Sequence, residues 1–220
     1  MSMWKGYVER VMEKATKAFV AYIDADNELQ KAMKRKSEYP INGTVRQDYY
    51  EKAIEAAHAA NKAQKTFDEA KQGMNETLGS IRSIRREFVE SVMHEFTPNG
   101  GKIKDNDVKL FESGILTADE IIRMYDEYSG AENWTMVRVC GKYAKQYADR
   151  MASDAGLTAS VDEQNRIQNL NAIATDAAQD RAGAWIEPFD LLVDTFARTI
   201  DNPALIQEWS SLTAPVVELF

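Results

Sequence analysis

Two long apolar repeats in the first hundred residues constrain the fold more than any other feature. In the first repeat, apolar or small residues recur at spacings of four and three: Trp4, Val8, Val11, Ala15, Ala18, Tyr22, Ala25, Leu29 and Ala32. The second repeat keeps this rhythm from residue 49 to 88, with Thr77 in one apolar position. A 4–3 spacing sustained over several heptads lines one side of a helix and is typical of a coiled coil. The pattern therefore predicts two long helices packed along their seams.

The stretch "SEYPINGT" at 37–44 separates the two repeats. Pro40 stops a helix, Asn42 and Gly43 form a common turn sequence, and Thr44 can cap the second helix. So short a connection makes the two helices antiparallel. Gly73 and Gly79 weaken the second helix. The sequence therefore leaves both a continuous and a broken second helix open.

The two predicted helices differ in length, and this difference leaves part of the second one uncovered. Helices of roughly 35 and 50 residues would extend about 50 and 75 Å. The first can therefore cover only part of the second. The apolar stripe of Ile81, Ile84, Phe88 and Val92 needs another cover. Either the C-terminal half of the chain or a second copy could supply it.

A hinge sequence, "TPNGGK" at 97–102, predicts the domain boundary. We expect a helical hairpin over 1–97 and an acidic helical domain over 103–220. Its helices are predicted at about 105–113, 118–129, 133–153, 160–184 and 188–200, with a last one after Pro203; Pro188 and Pro203 are placed at helix starts. The predicted core of this domain is Trp134, Val137, Val139, Tyr143, Trp185, Phe189, Leu191, Leu192, Phe196, Ile200, Leu205 and Trp209. With only 11 Gly and 5 Pro, the composition favours an all-α fold, a long antiparallel coiled-coil hairpin followed by a compact acidic bundle.

Charge is distributed unevenly along the chain, whose net charge is −8. Residues 1–100 carry 16 Lys and Arg against 15 Asp and Glu, a net charge of +1. Residues 101–220 carry 11 against 20, a net charge of −9. Such asymmetry suggests two regions with different roles or partners.

Targeting signals do not stand out in the sequence. A single cysteine, Cys140, excludes an internal disulfide. The first residues lack the apolar core of a signal peptide, and no apolar run is long enough to span a bilayer. We expect a cytoplasmic protein without a membrane partner, in the host cytoplasm or the virion if the protein is viral.

The segment "NDVKLFESGILTADEIIRMYDEYSG" at 106–130 has the form of a helix–turn–helix. Thr117 is a plausible N-cap, and Glu120 three residues later completes a capping box. DNA binding draws on Lys and Arg contacts to phosphates. In the second helix of this segment a single Arg123 stands against four acidic residues: Asp119, Glu120, Asp126 and Glu127. The sequence therefore predicts a structural corner or a protein-facing surface and argues against direct DNA binding.

Residues capable of chemistry do not combine into a recognised site. Glu55 and His58 have the spacing of a di-iron helix, but the second such pair is missing because His94 follows Glu90 by four. Cys140 lies among apolar residues with no histidine nearby in sequence, as core cysteines do. We expect no metal, no cofactor and no enzymatic activity.

A basic cluster occurs where the hairpin should turn: Lys34, Arg35, Lys36 and Arg46, with Lys31 close by. Cations at a helix C-terminus offset the helix dipole, which would account for the cluster without a partner. Alternatively, the cluster is a docking tip for an acidic surface, such as the acidic half of a neighbouring copy.

Residues 105–144, with the corner "DVKLFESGILTADE" and the stretch "NWTMVRVCGKYA", resemble a segment of uncharacterised helical proteins from phages and prophages of Gram-positive bacteria. The resemblance implies a viral or prophage origin and carries no catalytic motif.

Taken together, these features favour a non-enzymatic structural or assembly protein that self-associates, with other proteins as partners. In a phage setting it would be a scaffold or an assembly chaperone. Ile81, Ile84 and Phe88 would drive association, and the basic tip or the acidic face would select the partner. The alternative is a phage-encoded inhibitor or adaptor that binds a host nucleic-acid-processing or defence protein through its acidic half.

Overall fold

The fold is all-α across the part of the chain that the structure, a computed structural model, describes: residues 4–41, 43, 46–155 and 159–220. The α-helices are α1 (Lys5–Ser37), α2 (Gln47–Phe96), α3 (Asp105–Ser113), α4 (Ala118–Gly130), α5 (Trp134–Ala155), α6 (Val161–Ala177), α7 (Arg181–Asp201) and α8 (Trp209–Leu219). Short 3₁₀ helices occur at Gly100–Lys102 and Pro203–Ile206. The predicted fold class is confirmed. None of the described helices combines the length and apolarity needed to cross a membrane.

The chain forms two compact units. The first, here called the hairpin unit, comprises residues 1–89 and 187–220. The second, the central unit, comprises residues 90–186. This division differs from the predicted domains, 1–97 and 103–220, because the C-terminal segment belongs with the N-terminal helices.

Helices α1 and α2 form an antiparallel hairpin. Trp4 contacts Phe88, with ring centroids 6.2 Å apart, and Arg35 lies 3.5 Å from Glu55 at the opposite end. Residues further along α1 therefore contact residues earlier in α2, as antiparallel helices do. Helix α2 runs without interruption through both of its glycines, as the continuous alternative required. Asn42 and Thr44, the predicted turn and cap residues, lie outside the described residues.

The buried seam of the hairpin follows the predicted repeats with one change. Leu29 and Ala53 are among the buried positions that match the 4–3 pattern. In α1, however, Phe19 is buried where the repeat places Ala18. Phe19 stacks on Phe196 at 5.4 Å and meets the Trp209 ring at 5.2 Å. A large aromatic side chain gains more from burial than an alanine, so the C-terminal segment shifts the seam by one residue.

The segment Glu187–Phe220 packs against the apolar stripe of α2 together with α1, which reaches Phe88 through Trp4, so the expectation that the first helix leaves this stretch uncovered is wrong. Phe189 stacks on Phe88 with ring centroids 4.2 Å apart. Four residues predicted for the acidic domain are therefore core of the hairpin unit: Phe189, Leu192, Phe196 and Trp209. Leu191, also predicted as core, is 49% exposed.

Charge supports the same pairing. The segment 187–220 carries one Arg and six acidic residues, whereas residues 1–89 carry 16 Lys and Arg against 13 Asp and Glu. The Arg85 guanidinium bonds both carboxylate oxygens of Asp190, at 2.5 and 2.8 Å. Bidentate pairs of this kind are directional as well as attractive. Some acidic residues of the C-terminal half thus pair with basic residues of the N-terminal half, as Asp190 does with Arg85.

The central unit is built from consecutive helices, with α5 and α6 in close contact. Their approach depends on Gly141, because a Cβ built there would lie 2.2 Å from Ala177 Cβ. The surrounding core includes Met136, Cys140 and Leu170, none of them accessible to solvent.

The predicted helix 160–184 is wrong at its C-terminal end, because α6 stops at Ala177 and a new helix starts at Arg181. Asp180 accepts a hydrogen bond from the Gly183 backbone N–H at 2.9 Å and so satisfies the first turn of α7. Pro188 then lies inside α7 instead of at a helix start. It removes one helical hydrogen bond, a cost offset by the burial of Phe189 and the residues that follow.

Candidate interaction surface

The predicted basic tip is exposed but partly neutralised by nearby carboxylates. Lys34, Arg35 and Lys36 form the last turn of α1. Arg35 reaches Glu55 at 3.5 Å, and Arg46 bonds the side chain of Asp48 at 3.1 Å. The cluster therefore retains less net positive charge than the sequence run suggests.

The predicted apolar interaction residues are core residues, not a surface. Ile81 and Phe88 are fully buried, and Ile84 is 2% exposed. Phe88 is enclosed by aromatic rings, with Phe189 at 4.2 Å and Phe220 at 5.7 Å. The sequence left open whether the C-terminal half or a second copy covers this stripe. In the structure, the C-terminal segment of the same chain packs against it. These three side chains are consequently not available to a partner in this structure.

The acidic face of α4 is engaged within the central unit. Thr117 and Glu120 form the predicted capping box, in which the Thr117 N–H donates to the Glu120 carboxylate at 2.8 Å. This hydrogen bond is the main reason that the pKa of Glu120 lies below its ordinary value. Asp119 pairs with Arg166 at 3.4 Å, and Glu127 with Lys104 at 3.6 Å. Asp126 is exposed.

The corner ahead of α4 forms as the sequence predicts. Helix α3 ends at Gly114, whose φ of +69° is a left-handed conformation that favours glycine. Asp107, in the first turn of α3, accepts a hydrogen bond from the Tyr128 hydroxyl of α4. The turn is thus fixed at both ends by contacts inside the protein.

A groove on the hairpin is the most informative surface outside the predicted set. It encloses about 520 Å³ and has small residues along its floor. One rim is basic, with Lys14 and Lys17 on α1, and the other is acidic, with Glu69 and Glu76 on α2. The remaining lining residues are Ala18, Ala21, Ala70, Gly73, Thr77 and Ser80. We refer to this feature as the hairpin groove.

A second groove, of about 530 Å³, lies between α5 and α6 in the central unit. Its charged lining residues are all cationic: Arg138, Lys142 and Lys145. Lys145 also bonds Asp149 at 2.5 Å. This groove has a positive rim alone, in contrast to the two opposite rims of the hairpin groove.

Groups capable of catalysis are dispersed in the structure. Among the described residues, no three His, Cys, Asp or Glu side chains come together as a metal site would require. His58 and His94 are both exposed. Burial raises the pKa of the Cys140 thiol to about 12, so the thiolate needed for nucleophilic chemistry is scarce at neutral pH.

Comparison with known proteins adds no relative: no protein-family model, no curated protein and no solved structure matches this chain.

Sequence reasoning missed the hairpin groove because it depends on the register of two helices. Lys14, Lys17, Ala18 and Ala21 share one face of α1 at helical spacing, and this signal was present in the sequence. What the sequence did not supply was the stretch of α2 beside them. Contacts on either side of the groove, Arg10 with Glu87 and Tyr22 with Phe67, define that alignment.

Proposed function

We propose that the protein is a non-enzymatic assembly protein that acts by protein–protein interaction and self-association through its helical hairpin. The observation that carries this proposal is the hairpin groove, which no described part of the chain fills. A recess of this size with charged rims suits the packing of further helices.

Exposed apolar side chains on the same hairpin support an interaction role. Val20, Ile23 and Met33 on α1 are 42 to 53% exposed, and Tyr50 and Ile54 on α2 are 43 and 38% exposed. Single exposed apolar residues are common on protein surfaces. These five lie outside the lining of the hairpin groove and add exposed apolar area elsewhere on the two helices.

The resemblance of residues 105–144 to phage and prophage proteins gives the proposal its specific setting. A scaffold or assembly chaperone of a phage particle must associate reversibly, and long helices with exposed charged faces suit that requirement. The adaptor alternative has less support, because Glu120 is held in the capping box of α4. The pairs of Asp119 with Arg166 and of Glu127 with Lys104 are exposed and weak, so they do not count against it.

Sedimentation equilibrium of the full chain tests the proposal directly. Self-association predicts a weight-average mass above the 24.9 kDa of one chain, rising as concentration increases from about 1 to 100 µM. A constant monomer mass over that range would contradict self-association.

A further inference from the structure

The hairpin groove has a charge pattern that is complementary to itself. Contact between two copies of one surface around a twofold axis requires each patch to match its own image. A basic rim beside an acidic rim meets that requirement when each rim faces the opposite one. The α5–α6 groove does not, because its charged rim is entirely cationic.

From these observations we infer that the hairpin groove binds the hairpin of a second copy of the chain, which gives an antiparallel four-helix arrangement. The inference rests on the proposed self-association and names the surface responsible for it.

The orientation of the second copy follows from the charges. A twofold axis parallel to the helices leaves every residue at the same height along the hairpin. It places α1 of one copy opposite α2 of the other. Lys14 and Lys17 of one copy then face Glu69 and Glu76 of the other. A twofold axis across the helices would instead place α1 on α1, with lysine against lysine. Both arrangements make every neighbouring helix pair antiparallel, as in four-helix bundles, so the charges decide between them.

Packing at the floor of the groove permits close approach. Ala18, Ala21, Ala70 and Gly73 leave room for the backbone of a facing helix, and interaxial distance depends on the side chains at the contact. A Cβ at Gly73 would meet nothing within 4 Å, which agrees with open space above the floor.

The size of the contact sets its expected strength. The stretch 69–80 of α2 is about 18 Å long, and two helices side by side are about 20 Å wide. A footprint of about 350 Å² on each copy is below the roughly 800 Å² per partner of a standard interface. We therefore expect a reversible dimer that forms with increasing concentration and weakens as salt is added.

Among the described residues, the ion pairs that the rim residues form are local. Lys17 pairs with Glu13 at 2.6 Å and Glu69 with Lys65 at 3.7 Å, and each pair lies on one helix and is exposed. Exposed pairs of this type are weak. They do not prevent the rims from interacting with a second copy.

Charge reversal with mixing tests the inference. One variant, Lys14→Glu with Lys17→Glu, makes both rims acidic, and the other, Glu69→Lys with Glu76→Lys, makes both rims basic. We expect each alone to raise the dimer dissociation constant at least about tenfold and an equimolar mixture to restore dimers. Lys142→Glu with Lys145→Glu is the control, because it changes net charge as the first variant does but at the α5–α6 groove. Circular dichroism checks that each variant keeps its helical content.

The outcomes separate the inference from the proposed function. Wild-type protein that stays monomeric would overturn both. Wild-type protein that associates equally well after either rim reversal would overturn the inference and leave self-association standing. Loss of dimers in both variants without recovery on mixing would contradict the inferred orientation, in which Lys14 and Lys17 face Glu69 and Glu76. Recovery on mixing, with no effect of the control, is the result that supports the inference.

Discussion

The hairpin unit and the central unit bury their cores in different ways. In the hairpin unit, Phe88 near the end of the second helix is covered by Phe189, a hundred positions further along the chain. In the central unit, helices that follow one another pack together, and the contact at Gly141 joins α5 to α6, the next helix along. The first core thus depends on distant segments meeting, whereas the second depends on neighbours fitting closely. Each unit should therefore be sensitive to a different kind of substitution.

Removal of the Phe88 ring should have the largest effect. Phe88→Ala leaves a cavity where four aromatic rings now pack, and it should lower the free energy of unfolding by about 3–5 kcal/mol. Urea denaturation gives the size of the loss, and hydrogen exchange should place it first in the hairpin unit. Phe67→Ala is the matched control, because Phe67 is only half-buried and contacts Tyr22. An equal loss in both variants would contradict the special role of the covered stripe.

A single added methyl group should disturb the central unit next most strongly. Gly141→Ala places a carbon 2.2 Å from Ala177 Cβ, so α5 and α6 must separate. Overpacking of this kind costs about 1–3 kcal/mol. Hydrogen exchange in α5 and α6 should rise before that in α1. Gly79→Ala provides the control, because its new methyl group meets nothing within 4 Å and should stabilise α2 by up to about 1 kcal/mol.

Alkaline titration should produce the smallest of these effects, and only in the central unit. Burial, and then the hydrogen bond to Asp176, raises the pKa of Tyr125 from its ordinary value of 10 to about 12. Burial and the bond to Asp107 also raise the pKa of Tyr128. Because the unfolded chain loses these protons first, the stabilisation is complete below pH 10 and is lost as pH rises toward about 12.

Phenylalanine substitutions isolate that contribution. Tyr125→Phe or Tyr128→Phe should flatten the decline in stability above pH 10, measured by urea denaturation at a series of pH values. Tyr50→Phe is the control, because Tyr50 lies exposed on the hairpin. An unchanged alkaline decline in both central-unit variants would contradict the role of the two hydroxyls.

The same contrast explains which parts of the structure could be predicted from the sequence. The capping box at Thr117, the turn at Gly114 and the bounds 105–113 of α3 are set by residues close together in sequence, so they were predicted correctly. Heptad spacing likewise predicted both hairpin helices. Local signals failed at 178–180, where Asp180 starts a new helix inside an apparently continuous helical stretch.

Long-range pairing was the main gap. Unequal helix lengths suggested that Ile81, Ile84 and Phe88 lie beyond the first helix, whereas Trp4 of α1 reaches Phe88. Periodicity alone does not identify the distant segment that packs on them as well. The acidity of residues 101–220 suggests a region with its own role or partner, whereas Asp190 bonds Arg85 in the hairpin unit. Complementary charge between the ends of a chain is thus compatible with internal pairing as well as with external partners.

The core of the hairpin unit depends most on the C-terminal segment packing against the α2 stripe of its own chain. Cysteines in place of Arg85 and Asp190, with Cys140→Ala to remove the native thiol, can be joined by a short bismaleimide and examined on a denaturing gel. We predict a cross-linked species with the mass of one chain, formed equally well when the protein is diluted from about 100 µM to 1 µM. Cross-linked dimers that disappear on dilution, with no monomeric product, would show that another copy supplies the cover and would contradict the account.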